Sequence, residues 1–145
     1  MQRIVVGVDA SDTSLAALRW AVAEARLRGA EVEAVHAWSY PAFTSAYGFV
    51  PSPTFARDDL VAEATTTLDR VCESLHERDV VVNRIVQEGP AARCLLDSAK
   101  DADLLVVGSR GRGGFAGLLL GSVSQQCAHH APCPIAIVPS PRRRD

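Results

Sequence analysis

Five glycines fall within ten residues of this chain, in Gly108-Ser-Arg-Gly-Arg-Gly-Gly-Phe-Ala-Gly117, and Gly121-Ser-Val-Ser124 follows closely. Glycine is required where backbone turns at positive φ or approaches a ligand with no Cβ in between. A run of bare N–H groups forms a nest for anions. Ser122 and Ser124 open a stretch with helical character, and a helix N-terminus attracts phosphate. Arg110 and Arg112 add positive charge. This is the chemistry of phosphate binding. Two familiar forms of it do not fit this chain. The P-loop G-x-x-x-x-G-K-[ST] is absent, and the sole lysine, Lys100, lies elsewhere. Gly111-Arg-Gly-Gly-Phe-Ala116 matches the dinucleotide fingerprint by letter, but it follows a late strand and no acidic residue ends the next one to hold a ribose.

Other residues invite weaker readings. Asp9 and Asp12 follow an apolar strand and could hold a divalent cation or cap a helix; the strand-end position favours function for Asp9 and capping for Asp12. Cys127, His129, His130 and Cys133 are ligand types within seven residues, yet one helix-to-turn segment does not converge four ligands tetrahedrally, so ordinary thiols are expected. His36 sits in an apolar strand and reads as a hydrogen-bonded core histidine. No G-x-S-x-G elbow signals a serine hydrolase. Arg142-Arg143-Arg144 reads as a solvated tail.

The elements that must position these residues follow from periodicity. Arg3–Val8, Glu31–Ala37, Val80–Gln87, Asp103–Val107 and Pro134–Val138 are short apolar runs, expected as strands. Helices are expected from Thr13 to Arg28, closed by Gly29; along Leu60, Ala64, Leu68, Val71 and Leu75; through Leu95, Leu96 and Ala99 after Gly89-Pro90; and over Ser122–His130. Trp38–Thr54, with three prolines and four further aromatics, reads as a long loop. Strands that are apolar throughout and alternate with helices mark a parallel sheet covered on both faces, a doubly wound α/β fold. Such sheets bind ligands at the carboxyl ends of the strands, where strand order reverses.

The 145 residues suffice for one domain, expected over residues 1–140 with a frayed basic tail at 141–145. Hydrophobic residues make up 48% and charged residues 22%, which excludes disorder. A net charge of −2 argues against a polyanion-coating surface, and no nucleic-acid or membrane partner is expected. No apolar run approaches eighteen residues and no signal peptide is recognisable, so the expected location is cytoplasmic and the four cysteines are expected as thiols.

One further spacing has a match. Gly108 and Gly111 are separated by two residues, Gly111 and Gly121 by nine, and Ser122 follows. This G-x2-G-x9-G-[ST] pattern resembles the ATP-binding motif of the universal stress protein family. IVVGVDASDTS at the start, VHAW at the second strand, LLVVGSRGRGGFAGLLLGSVS and the CPIAIVP ending extend the resemblance along nearly the whole chain. It implies a five-stranded parallel sheet of order 3-2-1-4-5 with helices on both faces. It implies ATP, carried with Mg²⁺, as ligand. Phosphates would lie on Gly108, Ser109, Arg110, Gly111, Arg112 and Gly114 and meet Gly121, Ser122, Val123 and Ser124 on the other side. Asp9 would face the ribose or a phosphate-bound Mg²⁺, Gly7 would let the sugar approach the first strand, and Ala37 would offer backbone atoms to adenine. The chain departs from the family in having Ala10 where glycine often follows the aspartate, and Gly89-Pro90 for the usual G-x-P. With no P-loop lysine, water-positioning base or arginine finger identifiable, a regulatory nucleotide-binding module with little or no catalysis is expected. The alternatives are a slow ATPase or other nucleotide-using enzyme, and a flavin carrier. The final strand, Pro134–Val138, is expected at a sheet edge and, in the family's manner, as a homodimer contact centred on Ile135 and Ile137.

Overall fold

The computed structural model describes residues 2–40, 42–45, 48–51, 56–76, 78–110 and 120–141, with backbone only at 42–45 and 48–51. The chain runs β1 (Arg3–Gly7), α1 (Asp12–Arg28), β2 (Glu31–Trp38), β3 (Ala42–Ser45), β4 (Gly48–Pro51), α2 (Arg57–Glu73), β5 (Val82–Glu88), α3 (Ala91–Ser98), β6 (Leu104–Gly108), α4 (Ser122–His130) and β7 (Ile135–Val138). Five strands form one parallel sheet in the order β5-β2-β1-β6-β7. Counted along the main sheet alone, that is 3-2-1-4-5, as expected.

The strands are apolar at successive positions because each face has its own core. Ile4, Val6, Val32, Ala34, Leu104 and Val106 pack with α1 and α2 residues such as Leu18, Val22 and Leu68. Val5, Val35, Leu105 and Val107 point the other way, to Leu95 of α3 and Cys127 of α4. Each fully buried Val, Ile or Leu contributes about 1.5–3 kcal/mol.

Helix α1 is closed at both ends. Ser11 is its N-cap, accepting from the Ser14 N–H at 3.1 Å, so the cap falls on Ser11 and not on either flanking aspartate. Gly29 ends it in the left-handed region at φ 65°. Helix α2 begins at Arg57, a turn before its first buried residue, Leu60, and ends at Glu73, so Leu75 packs against the core from beyond the helix. Pro90 is the N-cap of α3 and not its first helical residue.

The expected long loop after β2 is in part a hairpin. β3 and β4 pair antiparallel, from Ala42 with Pro51 to Ser45 with Gly48, outside the main sheet. Strands of four residues are too short for alternation to register, and the connecting Ala46-Tyr47 lacks the Asn-Gly or Gly-X signature of a two-residue turn.

Candidate functional site

β1 and β6 lie side by side, yet their chains leave in opposite senses, β1 through α1 toward β2 and β6 through α4 toward β7. The strand order therefore reverses between them, and their carboxyl ends open a crevice. Val8, Asp9, Ala10 and Ser11 form one wall. Gly108, Ser109 and the start of α4 form the other.

Asp9 is fixed by its own loop. Its Oδ1 accepts from the Ser11 N–H at 3.0 Å and from the Ser11 hydroxyl, and its N–H donates to Ser14 Oγ at 3.2 Å. The chain reverses at Ala10, which is held at φ 67°. This is the position where the resembling family commonly has glycine, and the positive φ is the physical reason for that preference.

The two strand-end glycines have packing reasons. A Cβ on Gly7 would lie 2.8 Å from Leu95 Cδ1, so α3 occupies the space. A Cβ on Gly108 would lie 2.7 Å from Thr13 Cγ2 and 3.1 Å from the Thr13 carbonyl oxygen. Whatever either glycine does for a ligand is additional to letting a helix close on the sheet. Thr13 also meets Ser140, the hydroxyls 2.8 Å apart, which brings the segment after β7 to the foot of α1.

Ser109 is the knot of the second wall. Its N–H donates to the Val138 carbonyl at 2.8 Å, and its carbonyl accepts from the Gly121 N–H at 2.7 Å and from the Ser124 hydroxyl at 3.0 Å. Ser124 Oγ lies equally close to the Gly121 carbonyl. One buried hydroxyl thus spans the residues on either side of the glycine-rich stretch. Ser124 was expected among the phosphate contacts; its side chain is turned inward, so a contact from this residue would come from its N–H.

Gly121 is the N-cap of α4 and supplies no side-chain cap, while the first intrahelical bond runs from the Gln125 N–H to the Gly121 carbonyl at 3.0 Å. The first-turn amides of Ser122, Val123 and Ser124 have no capping side chain among the described residues, and that is the arrangement an anion completes. Arg110 is exposed at the start of the stretch. Gly111, Arg112 and Gly114 lie outside the described residues.

At the other end of the crevice, alternation along β2 sends odd-numbered residues to β1 and even-numbered ones to β5. The Val8 N–H to Val35 carbonyl bond (2.9 Å) and the Gly89 N–H to Trp38 carbonyl bond (2.8 Å) mark the two directions. β1 leaves the sheet after Val8, so the next odd residue, Ala37, aims its N–H and C=O past the end of β1 into the crevice. His36, half-buried as expected of a hydrogen-bonded histidine, donates from Nδ1 to the Val8 carbonyl at 2.7 Å. That bond places His36 beside the end of β1, a position its sequence context does not signal.

The remaining clusters do not assemble. Among the described residues no three of His, Cys, Asp and Glu come together in a metal-holding group. Cys127 is fully buried, its thiol pushed up to about 11 by burial, whereas His129 and His130 are exposed. Burial likewise raises Cys72, Cys94 and Cys133, and all four cysteines are free. Lys100 follows α3 at the opposite, amino-terminal end of the sheet, where its carbonyl accepts from Arg3 at 2.8 Å.

Fold and site define a doubly wound α/β domain with bare backbone groups gathered at its switch point. The Universal stress protein family matches residues 1–139, and the chain belongs to that family. It is 38% identical over 139 residues to a universal stress protein of Mycolicibacterium smegmatis, a match covering 93% of this chain and 45% of that protein. The chain thus spans just under half the length of the curated relatives it matches. Among solved structures it resembles a universal stress protein in complex with cAMP, at 25% identity and a TM-score of 0.73 over 97% of this chain and 98% of the other. It shares the fold of an Archaeoglobus fulgidus universal stress protein in complex with dAMP, at 24% identity and a TM-score of 0.69 over 95% and 98% of the two chains. No described helix is long and apolar enough to cross a membrane.

Proposed function

We propose that this chain is an ATP-binding universal stress protein domain, spanning residues 1–140, that carries Mg²⁺ with the nucleotide and acts as a regulatory module with little or no catalysis. The observation that carries the reading is the uncapped first turn of α4, whose amides stand beside the end of β6. Phosphates would bind there and along Gly108–Arg112 and Gly114. Asp9, held outside the helix cap by Ser11, would face the ribose or a phosphate-bound Mg²⁺. The open backbone edge of Ala37 would take the base, above Gly7. The bound cAMP and dAMP of related structures support an adenine nucleotide of some kind. The placing of Lys100 far from the crevice supports weak catalysis or none, because no lysine stands by the phosphates.

The same reading includes a homodimer. β7 is an edge strand, and parallel pairing with β6 uses the even-numbered residues: the Leu105 N–H donates to the Pro134 carbonyl and the Ser109 N–H to the Val138 carbonyl. The outward backbone groups are therefore those of Ile135 and Ile137, the residues a second copy would pair.

Titration calorimetry with ATP, with and without Mg²⁺, tests the nucleotide. Wild type should bind ATP, and Asp9→Ala, titrated at a temperature where it is still folded, should bind it less tightly. No detectable binding of ATP at millimolar concentration would overturn the proposal.

A further inference from the structure

We infer that His36 is a positioning residue that sets base selectivity at the nucleotide site by keeping the Ala37 N–H out of the β-ladder. The inference rests on the adenine-nucleotide reading above and adds to it a residue that touches no ligand.

In a parallel ladder the N–H of one residue reaches the carbonyl of the residue preceding its partner. β1 and β2 are in register from Arg3 with Glu31 to Gly7 with Val35, and the Val8 N–H to Val35 carbonyl bond carries the ladder one step further. The next rung would join the Ala37 N–H to the Val8 carbonyl. His36 Nδ1 sits on that carbonyl instead, at 2.7 Å. On its other side β2 continues to pair with β5 through Trp38 and Glu88, so Ala37 stays extended while losing only its β1-side partner. The result is a fixed strand edge with one donor and one acceptor facing the crevice.

That pair has a definite complement. The adenine edge presents an acceptor at N1 beside a donor at N6, which a backbone N–H and C=O on one strand edge can both satisfy. Guanine presents the reverse order, a donor beside an acceptor, and meets each backbone group with its like. A mismatch of this kind leaves buried polar groups unpaired, a strong basis for discrimination. If the Ala37 N–H were drawn onto Val8, the C=O alone would remain and most of the selectivity would go.

The experiment compares wild type with His36→Phe, which removes the donor and keeps a ring, and His36→Asn, whose side-chain amide can place a donor near the Nδ1 position. ATP and GTP are titrated into each, and amide hydrogen exchange at Ala37 is followed without nucleotide. His36→Phe should bind ATP roughly five- to tenfold more weakly, a one-hydrogen-bond effect, with a smaller ATP-to-GTP preference. Its Ala37 amide should exchange more slowly, because the extra rung forms. His36→Asn should stay near wild type in both respects. Slower melting-independent exchange at Ala37 with an unchanged ATP-to-GTP ratio would overturn the inference, as would an unchanged Ala37 amide in His36→Phe. Wild type that binds neither nucleotide would instead overturn the nucleotide reading, and the exchange measurement would still decide whether His36 ends the ladder.

Discussion

Ala10 is the position where this chain holds an ordinary residue in a conformation suited to glycine. Its φ is 67°, and the reversal it makes is enforced from both sides: Asp9 Oδ1 accepts from the Ser11 N–H, and Ser11 in turn caps α1. For a residue with a Cβ, left-handed backbone costs about 1–2 kcal/mol. Ala10 is exposed, so its methyl group recovers little of that by burial. Ala10→Gly removes the strain but gives the unfolded chain more freedom, an opposing effect of about 0.5–1 kcal/mol. The difference is a net stabilisation of about 0.5–1 kcal/mol, or roughly 1–4 °C in melting temperature for a domain of this size. Thermal melts and urea titrations read it directly, and an unchanged urea m-value would show that the native fold is retained. Ala10→Val serves as the opposite control, since a β-branched residue tolerates positive φ worse than alanine and should lower the melting temperature. A variant Ala10→Gly that melts at or below the wild-type temperature would refute the claim that strain is stored at this turn.

Gly108→Ala sets a methyl group against Thr13 Cγ2 and the Thr13 carbonyl oxygen, and should destabilise by roughly 1–3 kcal/mol in urea titrations; Gly7→Ala meets only the movable end of Leu95 and should cost less. Ser124→Ala removes the hydroxyl bound to the Ser109 carbonyl, so trypsin should cut the native protein faster after Arg110, and equal cutting rates at equal stability would show that the hydroxyl does not hold Ser109 and Arg110 in place. Cys127 adds an alkaline limb to stability: its thiol is raised to about 11 when folded, so its contribution is complete below the unfolded thiol's pKa near 8.5–9 and is lost as pH rises through about 11, and Cys127→Ala should flatten that fall relative to wild type. Ile137→Lys should convert a homodimer into a folded monomer in sedimentation equilibrium, whereas a wild type already monomeric at tens of micromolar would exclude the β7 contact, since specific dimers of ~μM affinity persist at that concentration.

The fold was legible because its signals are local and repeated. A strand buried on both faces has to be apolar at consecutive positions, as in Ile4-Val5-Val6, and the structure divides those three residues between two separate cores. Gly29 announced the end of α1, and α4 ran from Ser122 to His130 as its sequence suggested. Signals weaken where burial does not impose a period. The first turn of α2, Arg57-Asp-Asp, carries no apolar residue, so the apolar face that marks the helix in the sequence begins only at Leu60. The hairpin of β3 and β4 pairs outside the main sheet, and its four-residue strands are too short for an alternation to register.

The site was legible in its materials and only partly in its geometry. Glycines, an aspartate at a strand end and serines at a helix start announce bare backbone and a home for charge, and they can be read along the chain. Whether a given backbone group is left over depends on what non-local partners take from it. The Ser124 hydroxyl closes on the Ser109 carbonyl, fifteen positions away, which leaves only its N–H to offer a phosphate. Gly7 reads in the sequence as room for a sugar, and the structure adds a packing reason for it, since Leu95, from the third helix, fills the place of its missing side chain. His36 carried the opposite surprise. It reads as a core histidine, and its bond to Val8 decides whether the neighbouring Ala37 has an N–H to give. The motif specifies a stock of backbone donors and acceptors, and strand register and side-chain ties then decide which of them face the crevice. Relatives that share the glycine motif but differ at the positions of His36 and Ser124 should therefore differ in which nucleotide they hold and how firmly, even with the motif intact.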